Sequence, residues 1–362
     1  MKIDSIDTRV VERFYRRPFV IAGGSSPKAV SILVMIRSDT GLVGLGEATP
    51  MPAYSGQTVA GVVQALKDYL VPALLGQVVE GLVDLHGRME EAIKHQPMAK
   101  AAIDLAIHDL LGKAWGVPVH ALLGGRCRSA VSLGWAVGLG ESEDILEEVG
   151  DQVKAGFRTI KIKIGLDPDR DVHIVGRVRE LVGSAVALRV DGNEGYDLPT
   201  ARKALKEMER YDLSFIEQPI PRWDLDGMAE LCRSLDTPVM ADESLYTPHD
   251  AIALIKHKAA DIFNIKLMKV GGLYPAGQVA AIAAAAGIPC MVGSMPEMGV
   301  ATAAGLHFAA ASPAVTVPSE LIGPLMLRGD IVDQSFYPPH DHGTGRVPTG
   351  LGLGVSLKDE GG

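Results

Sequence analysis

The sequence predicts an α/β protein in which a small α+β unit precedes a closed barrel of parallel strands and helices. Three observations predict it. The first 60 residues read as strands and turns, the next 55 as helices, and the remainder as short apolar β-rich runs alternating with helical segments about 25 residues apart. Eight such repeats suit a closed parallel barrel, whereas a doubly wound sheet seldom needs so many.

In the opening segment MKIDSIDTRVVERF and AVSILVMIRSDTGLVGLGEA form an antiparallel sheet, with Asp39-Thr40-Gly41 as a hairpin turn. From Thr58 to about Trp115 the pattern is helical. Ile103, Ile107, Leu110 and Leu111 fall on one face, and Gly116 and Pro118 close the segment. The unit ends near Leu122-Leu123-Gly124-Gly125. Candidate barrel strands follow at Ala130–Val137, Thr159–Ile164, Ala187–Val190, Ser214–Glu217, Pro238–Ala241, Ile262–Lys266, Pro289–Val292 and Ala314–Val317.

Composition excludes several function classes. The 362 residues carry 35 basic and 44 acidic side chains, a net charge of -9, with no basic run, so phosphate backbones and anionic membranes are repelled. Neither nucleic acid nor membrane is an expected partner. The N-terminus lacks the apolar core of a signal peptide, and the longest apolar stretch is interrupted by Gly287 and Pro289, so the chain reads as cytoplasmic. Cys127, Cys232 and Cys290 have no metal or redox spacing and read as buried small hydrophobes.

A barrel places catalytic residues at the carboxyl ends of its strands. Here those ends read KIKIG, RVDGN, FIEQP, MADES and NIKLMK. Asp191, Glu217 and Asp242 lie 26 and 25 residues apart, one on each of three consecutive strands, which brings three carboxylates side by side. Each alone would serve as a helix cap. Three together cannot all ionise without a cation, and oxygen donors suit Mg²⁺, with Mn²⁺ as the alternative. Lys161 and Lys163 share one strand face, so both point into the barrel, and the repulsion between them is expected to lower the pKa of Lys163. Lys266, four strands away, faces them across the metal. Asn193 and Asn264 are expected to orient ligand and base. Lys269 reads as a surface or helix-capping residue. Glu297, in GSMPEMG, is either an extra acid for the substrate or a helix N-terminal residue.

A hard metal between opposed lysines suits removal of a proton next to a carboxylate, with the metal stabilising the enediolate. Two active lysines permit racemisation or epimerisation. With one active and the other a cationic stabiliser, cycloisomerisation or elimination follows. The competing enzyme class is a Schiff-base barrel, in which Lys163 or Lys266 attacks a carbonyl.

In order and spacing, these strand-end motifs resemble the enolase superfamily, in its mandelate racemase/muconate lactonizing enzyme group and the muconate lactonizing subgroup. The likeness extends to Gly44-x-Gly46-Glu47, to the helix from Ala102-Ile103-Asp104 to Gly112-Lys113, and to Leu122-Leu123-Gly124-Gly125. It implies a modified TIM-type (β/α)7β barrel, residues 126–330, with an N-terminal α+β capping domain, 1–125, and a tail, 331–362, that returns to the cap. It further implies Lys163 and Lys266 as acid/base catalysts with Lys161 beside them, Asp191, Glu217 and Asp242 as metal ligands, and Glu243 as a supporting acid. Two specificity loops, Ile21 to Lys28 and Pro50 to Gly56, would form a mobile lid carrying Tyr54. Trp135, Glu297, Ser319 and Glu320 are expected to reach the substrate. Dipeptide epimerases of the group carry Asp-x-Asp before the last Pro-Leu, whereas this chain reads Glu320-Leu321-Ile322-Gly323-Pro324-Leu325. ELIGPL looks more like the cycloisomerases, which puts a muconate-type lactonisation first and an amino acid derivative or dipeptide second, with dehydratase or o-succinylbenzoate synthase-like chemistry also compatible. The family implies a homo-oligomer acting on a small carboxylate.

Overall fold

In the computed structural model, residues 1–21 and 24–358 are described; Ala22 and Gly23, in the first expected lid loop, lie outside them. The opening strands β1 (Ile3–Ile21), β2 (Gly24–Ser38) and β3 (Val43–Ala48) make an antiparallel sheet. Asp39-Thr40-Gly41 turns between β2 and β3, with Gly41 at φ +84°. Ser25 and Ser26 of the first expected lid loop lie in the β1–β2 ladder, opposite Val20 and Phe19. That arm rests on the barrel, where Leu139 N donates to Val20 O at 2.8 Å.

The helical region is broken into pieces, of which Pro97–Trp115 is the longest. Gly44 and Gly46 admit this helix against β3, since a Cβ at either position would strike the carbonyl of Ala106 or Ala102. The helix is buried continuously from Met98 to Gly112 rather than along one face. It lies between the sheet on one side and the barrel and tail on the other, so no stripe is left for water.

The barrel strands are β5 (Trp135–Val137), β6 (Thr159–Lys163), β7 (Ala187–Asp191), β8 (Leu213–Glu217), β9 (Val239–Ala241), β10 (Ile262–Ile265) and β11 (Cys290–Val292), all parallel and in chain order. The expected first strand is split at Leu133-Gly134. Its first half, β4 (Ala130–Ser132), pairs instead with β12 (Thr344–Arg346) of the tail. The expected last strand, Ala314–Val317, forms no regular ladder, partly because Pro318 has no N–H to give. It bridges at Val315 to Cys290, while Glu320 N donates to Val292 O and Ser319 N to Ser132 O, which closes the ring. Of the cysteines, Cys290 alone is buried; Cys232 is half-buried and Cys127 exposed, a correction to the expectation.

Three buried carboxylates join cap, barrel and tail. Glu47 accepts from Met298 N at 2.7 Å and Ala301 N at 2.9 Å, at the start of the helix Gly299–Ala311. Asp104 accepts from Leu273 N at 2.5 Å, opening the helix Leu273–Ala286, and from His86 Nε2 at 2.7 Å. Asp109 accepts from Leu45 N at 2.8 Å and, in the tail, Leu353 N at 2.7 Å. No helix among the described residues is long and apolar enough to cross a membrane.

Candidate active site

Strand alternation builds the barrel interior in two layers. Lys161 pairs with Arg189 and Lys163 with Asp191 in the β6–β7 register, and Asp191 pairs with Glu217 in β7–β8. The lower interior layer holds Phe215, Met240, Ile262 and Met291, packed by Val317. Ionisable groups crowd the layer above it.

Lys163 Nζ donates to Asp191 Oδ2 at 2.7 Å and Asn193 Oδ1 at 2.6 Å. Asn193 Nδ2 in turn donates to Glu243 Oε1 at 2.9 Å. Lys161 Nζ sits among Glu217 Oε2 at 3.0 Å, Glu320 Oε2 at 2.5 Å and Asp191 Oδ2 at 3.1 Å. Lys266 Nζ meets Asp242 Oδ2 at 2.7 Å and the hydroxyl of Tyr54 at 3.2 Å, with its charge 4.3 Å from the ring centre. Asn264 Nδ2 donates to Glu217 Oε1 at 2.7 Å.

Acids, not the neighbouring Lys163, dominate the field at Lys161. Burial alone would lower the Lys161 pKa, but Glu217, Glu320 and Asp191 raise it well above the ordinary lysine value. Lys266 is likewise pushed up against burial, chiefly by Asp242 and Glu217. Asp242 is held well below the usual carboxylate range, because Lys266 and Lys269 outweigh its burial.

Lys269 is not a surface residue. It is fully buried and donates to Asp242 Oδ1 at 2.7 Å, to the Asp242 carbonyl and to Asn264 O at 3.0 Å. A single helical turn, Leu267–Val270, directly after β10 brings it back under the mouth.

One cavity of about 40 Å³ is lined by Lys161, Lys163, Lys266, Asn193 and Glu320, with Tyr54 from the cap. Met51, in the expected Pro50 to Gly56 loop, also lines it, and the sequence reading missed part of its wall: Phe19, Ala136, Ser294, Ile322 and Met326. Trp135 does not. It pairs with outward Ile160, while Ala136 pairs with inward Lys161, so the indole turns to the helical layer, bonding Glu148 at 2.7 Å and meeting Phe157 edge-on. Ser319 is likewise structural, buried with its hydroxyl accepting from Val292 N at 3.2 Å. Glu297 is buried beside the cavity wall without lining it, pushed up to about 7 by burial and by Glu47.

The donor set fits a hard divalent cation. Among the described residues no three His, Cys, Asp or Glu side chains are gathered into a coordination shell, since ammonium groups stand between the carboxylates. Yet Asp191, Glu217 and Asp242 are fully buried on adjacent strands and offer only oxygen. Burial and Asp191 push Glu217 up to about 7; burial and Asp242 push Glu243 up to about 8, and among the described residues Glu243 Oε2 has no hydrogen-bond partner. That is surplus negative charge of the kind a cation neutralises.

With this site at the mouth of such a barrel, the class of protein is defined by comparison with known sequences. Residues 5–124 match the mandelate racemase / muconate lactonizing enzyme N-terminal domain, and residues 144–361 match the enolase C-terminal domain-like family. The chain is 36% identical to the N-succinyl-L-Arg/Lys racemase of Bacillus cereus, covering 99% of this chain and 96% of that protein. It is also 36% identical to muconate cycloisomerase 1 of Rhodococcus opacus, with the same coverage. The solved structure of the Bacillus cereus racemase superposes with a TM-score of 0.96 over 99% of this chain and 96% of that one. A dipeptide epimerase from Enterococcus faecalis, complexed with Mg and a dipeptide, is 33% identical and superposes at 0.94, covering 98% of this chain and 100% of that one. The chain therefore belongs to the mandelate racemase/muconate lactonizing enzyme group of the enolase superfamily, and it is an isomerase. Members of this kind use Mg²⁺.

Proposed function

We propose that the protein racemises an N-acylated α-amino acid, with Lys163 and Lys266 exchanging the α-proton on opposite faces. The single observation that carries this is the pair of matched ammonium groups. Each lines the same cavity, each is oriented by a strand-end carboxylate at 2.7 Å, and four strands separate them. In turnover one lysine takes the proton as the free amine and the other delivers one as the ammonium. Asp191 with Asn193 aims the first, and Asp242 with Tyr54 aims the second.

Asp191, Glu217 and Asp242 would hold Mg²⁺. When bound there, the ion offsets the second negative charge that accumulates on the substrate carboxylate as its α-proton leaves.

The substrate preference follows from what the cavity lacks. A free α-ammonium needs an uncommitted carboxylate. Glu320, which lines the cavity, has one oxygen on Lys161 at 2.5 Å and the other turned to the Arg189 guanidinium at 3.7 Å, and Ile322 stands where an Asp-x-Asp would put its second acid. An acylated nitrogen makes no such demand. This reverses the order expected from ELIGPL alone, because the two lysines are equally equipped. Muconate cycloisomerisation is the second reading, favoured by the same cationic and apolar lining, which suits a dicarboxylate.

The test is a panel of N-acyl amino acids, dipeptides and cis,cis-muconate incubated in deuterated buffer with Mg²⁺. Deuterium at the α-carbon of both enantiomers of an N-acyl amino acid is expected. Lactone formation from muconate without α-exchange in any amino acid derivative would overturn the racemase reading.

A further inference from the structure

Arg189 is a fully buried charge at the level of the lower interior layer, and none of the chemistry above uses it. It follows the same alternation as Asp191, two residues on, so its side chain enters the barrel directly beneath the mouth. The neighbouring strands fill that level with Phe215, Met240, Ile262 and Met291. An arginine among them is costly to desolvate and would be replaced at a gain by an apolar side chain of similar volume, unless it acts on something above.

The surroundings are fitted to it. Its guanidinium lies 5.0 Å from the Phe215 ring centre, and Nη1 donates to Pro318 O and to Met291 Sδ, each at 3.0 Å. Gly134, at the break in the first strand, leaves the space it occupies, since a Cβ there would collide with the guanidinium. Nη2 points at Glu320 Oε1, 3.7 Å away, and neither atom has a hydrogen-bond partner among the described residues. The other oxygen of Glu320 holds Lys161 at 2.5 Å. Lys161 and Lys163 share Asp191 Oδ2, at 3.1 and 2.7 Å. A line of alternating charge thus runs from Arg189 through Glu320, Lys161 and Asp191 to Lys163. Lys266 stands outside it, set by Asp242 and Tyr54.

We propose that Arg189 is a positioning residue for one of the two lysines: by anchoring Glu320 from below it fixes Lys161, and so leaves Asp191 free to aim Lys163 at the substrate. Without the anchor, Glu320 is released, Lys161 turns more fully onto Asp191, and Lys163 loses its orienting oxygen. The effect is one-sided because, among the described residues, the hydrogen bonds of Lys266 go to Asp242 and Tyr54, outside this line, and Lys161 reaches it only through its charge. The inference rests on the two-lysine racemase reading.

The experiment measures deuterium exchange into each enantiomer of an N-acyl amino acid by proton NMR, for the Mg²⁺-loaded wild type and for Arg189→Met, Arg189→Lys and Gly134→Ala. Gly134→Ala keeps the charge but displaces the guanidinium, so it serves if Arg189→Met does not fold. Exchange of the enantiomer whose proton faces Lys163, identified as the one lost in Lys163→Ala, is expected to fall at least tenfold in Arg189→Met and Gly134→Ala. Exchange on the Lys266 side should stay within about twofold, and Arg189→Lys should recover part of the loss. A general loosening of the barrel would slow both faces alike. Equal loss on both faces, or no loss on either, overturns this inference alone. A wild-type enzyme that exchanges neither enantiomer overturns the racemase reading and this inference with it.

Discussion

Two sets of buried carboxylates in this molecule are satisfied in different ways. At the seam between cap, barrel and tail, Glu47, Asp104 and Asp109 accept mainly from backbone N–H groups of Met298, Ala301, Leu273, Leu45 and Leu353, with Lys113 Nζ a further donor to Asp109 at 2.6 Å. At the mouth, Asp191 and Asp242 are met mainly by lysine ammonium groups, and Glu217 by Lys161 and the Asn264 side chain. A backbone donor is fixed by the fold and cannot be exchanged without moving a helix. A lysine on a four-carbon stem can swing, lose its proton or yield to a cation. Both kinds of site pay for burial with charge-assisted hydrogen bonds; the second, held mostly by lysines, leaves its charges freer to rearrange during turnover.

The largest expected effect of breaking this comparison is at the mouth. Lys163→Ala and Lys266→Ala should each lower racemisation by at least 10² to 10⁴-fold, about 3 to 5 kcal/mol of barrier, because neither can be bypassed in an inversion. Each should unfold at a denaturant midpoint close to that of the wild type. Rates near wild type in both variants would remove the lysines from the chemistry. Next in size is the seam. Glu47→Ala leaves the Met298 and Ala301 N–H groups buried without an acceptor, at about 1 to 3 kcal/mol per group. Urea unfolding should show the loss, while turnover per folded molecule changes little.

Metal binding gives the third comparison. Mg²⁺ at about 100 times its dissociation constant should raise the stability of the folded state by about 2.7 kcal/mol. Asp242→Asn should abolish that increment, and Asp109→Asn should retain it. Chelation with excess EDTA should remove activity in the wild type, and added Mg²⁺ should restore it.

How far the site was legible depends on whether strand alternation or tertiary packing decides a side chain. The period of two, read within KIKIG and RVDGN, is enough to put Lys163 and Asp191 on one inward face, and their register pairs them. It fails for Trp135. A strand read as Ala130–Val137 is broken at Leu133-Gly134, and the direction of one side chain depends on where the barrel strand begins. Lys269 and Arg189 were illegible for another reason. A charged residue reads as solvent-facing until the partners that bury it are known, and Asp242 and Glu320 come from 27 and 131 positions away. The last strand was misread because Val315 and Ser319 close the ring through separate contacts, not a ladder.

The smallest expected effect tests the seam through pH. His108 lies one helical turn from Asp104, with Nδ1 3.3 Å from its carboxylate, and its pKa is raised: burial opposes the charge, but Asp104 outweighs it. A base whose folded pKa exceeds its unfolded value contributes stability that is complete below about 6.5 and lost as pH rises through the folded value. Asp104 moves the other way. Burial would raise it, but His108 and His86 hold it well below the usual carboxylate range, so its contribution is present above about 3.9 and lost only in acid. Between pH 6 and 9 Asp104 stays ionised, so the His108 contribution is lost as pH rises and urea unfolding should show stability falling. His108→Gln keeps a polar side chain but cannot take the charge, so its stability should change less over the same interval. Equal slopes for the two proteins would mean that Asp104 is satisfied by the Leu273 N–H and His86 without help from a charged His108, and the seam would then rest on backbone donors to a greater degree than the mouth does.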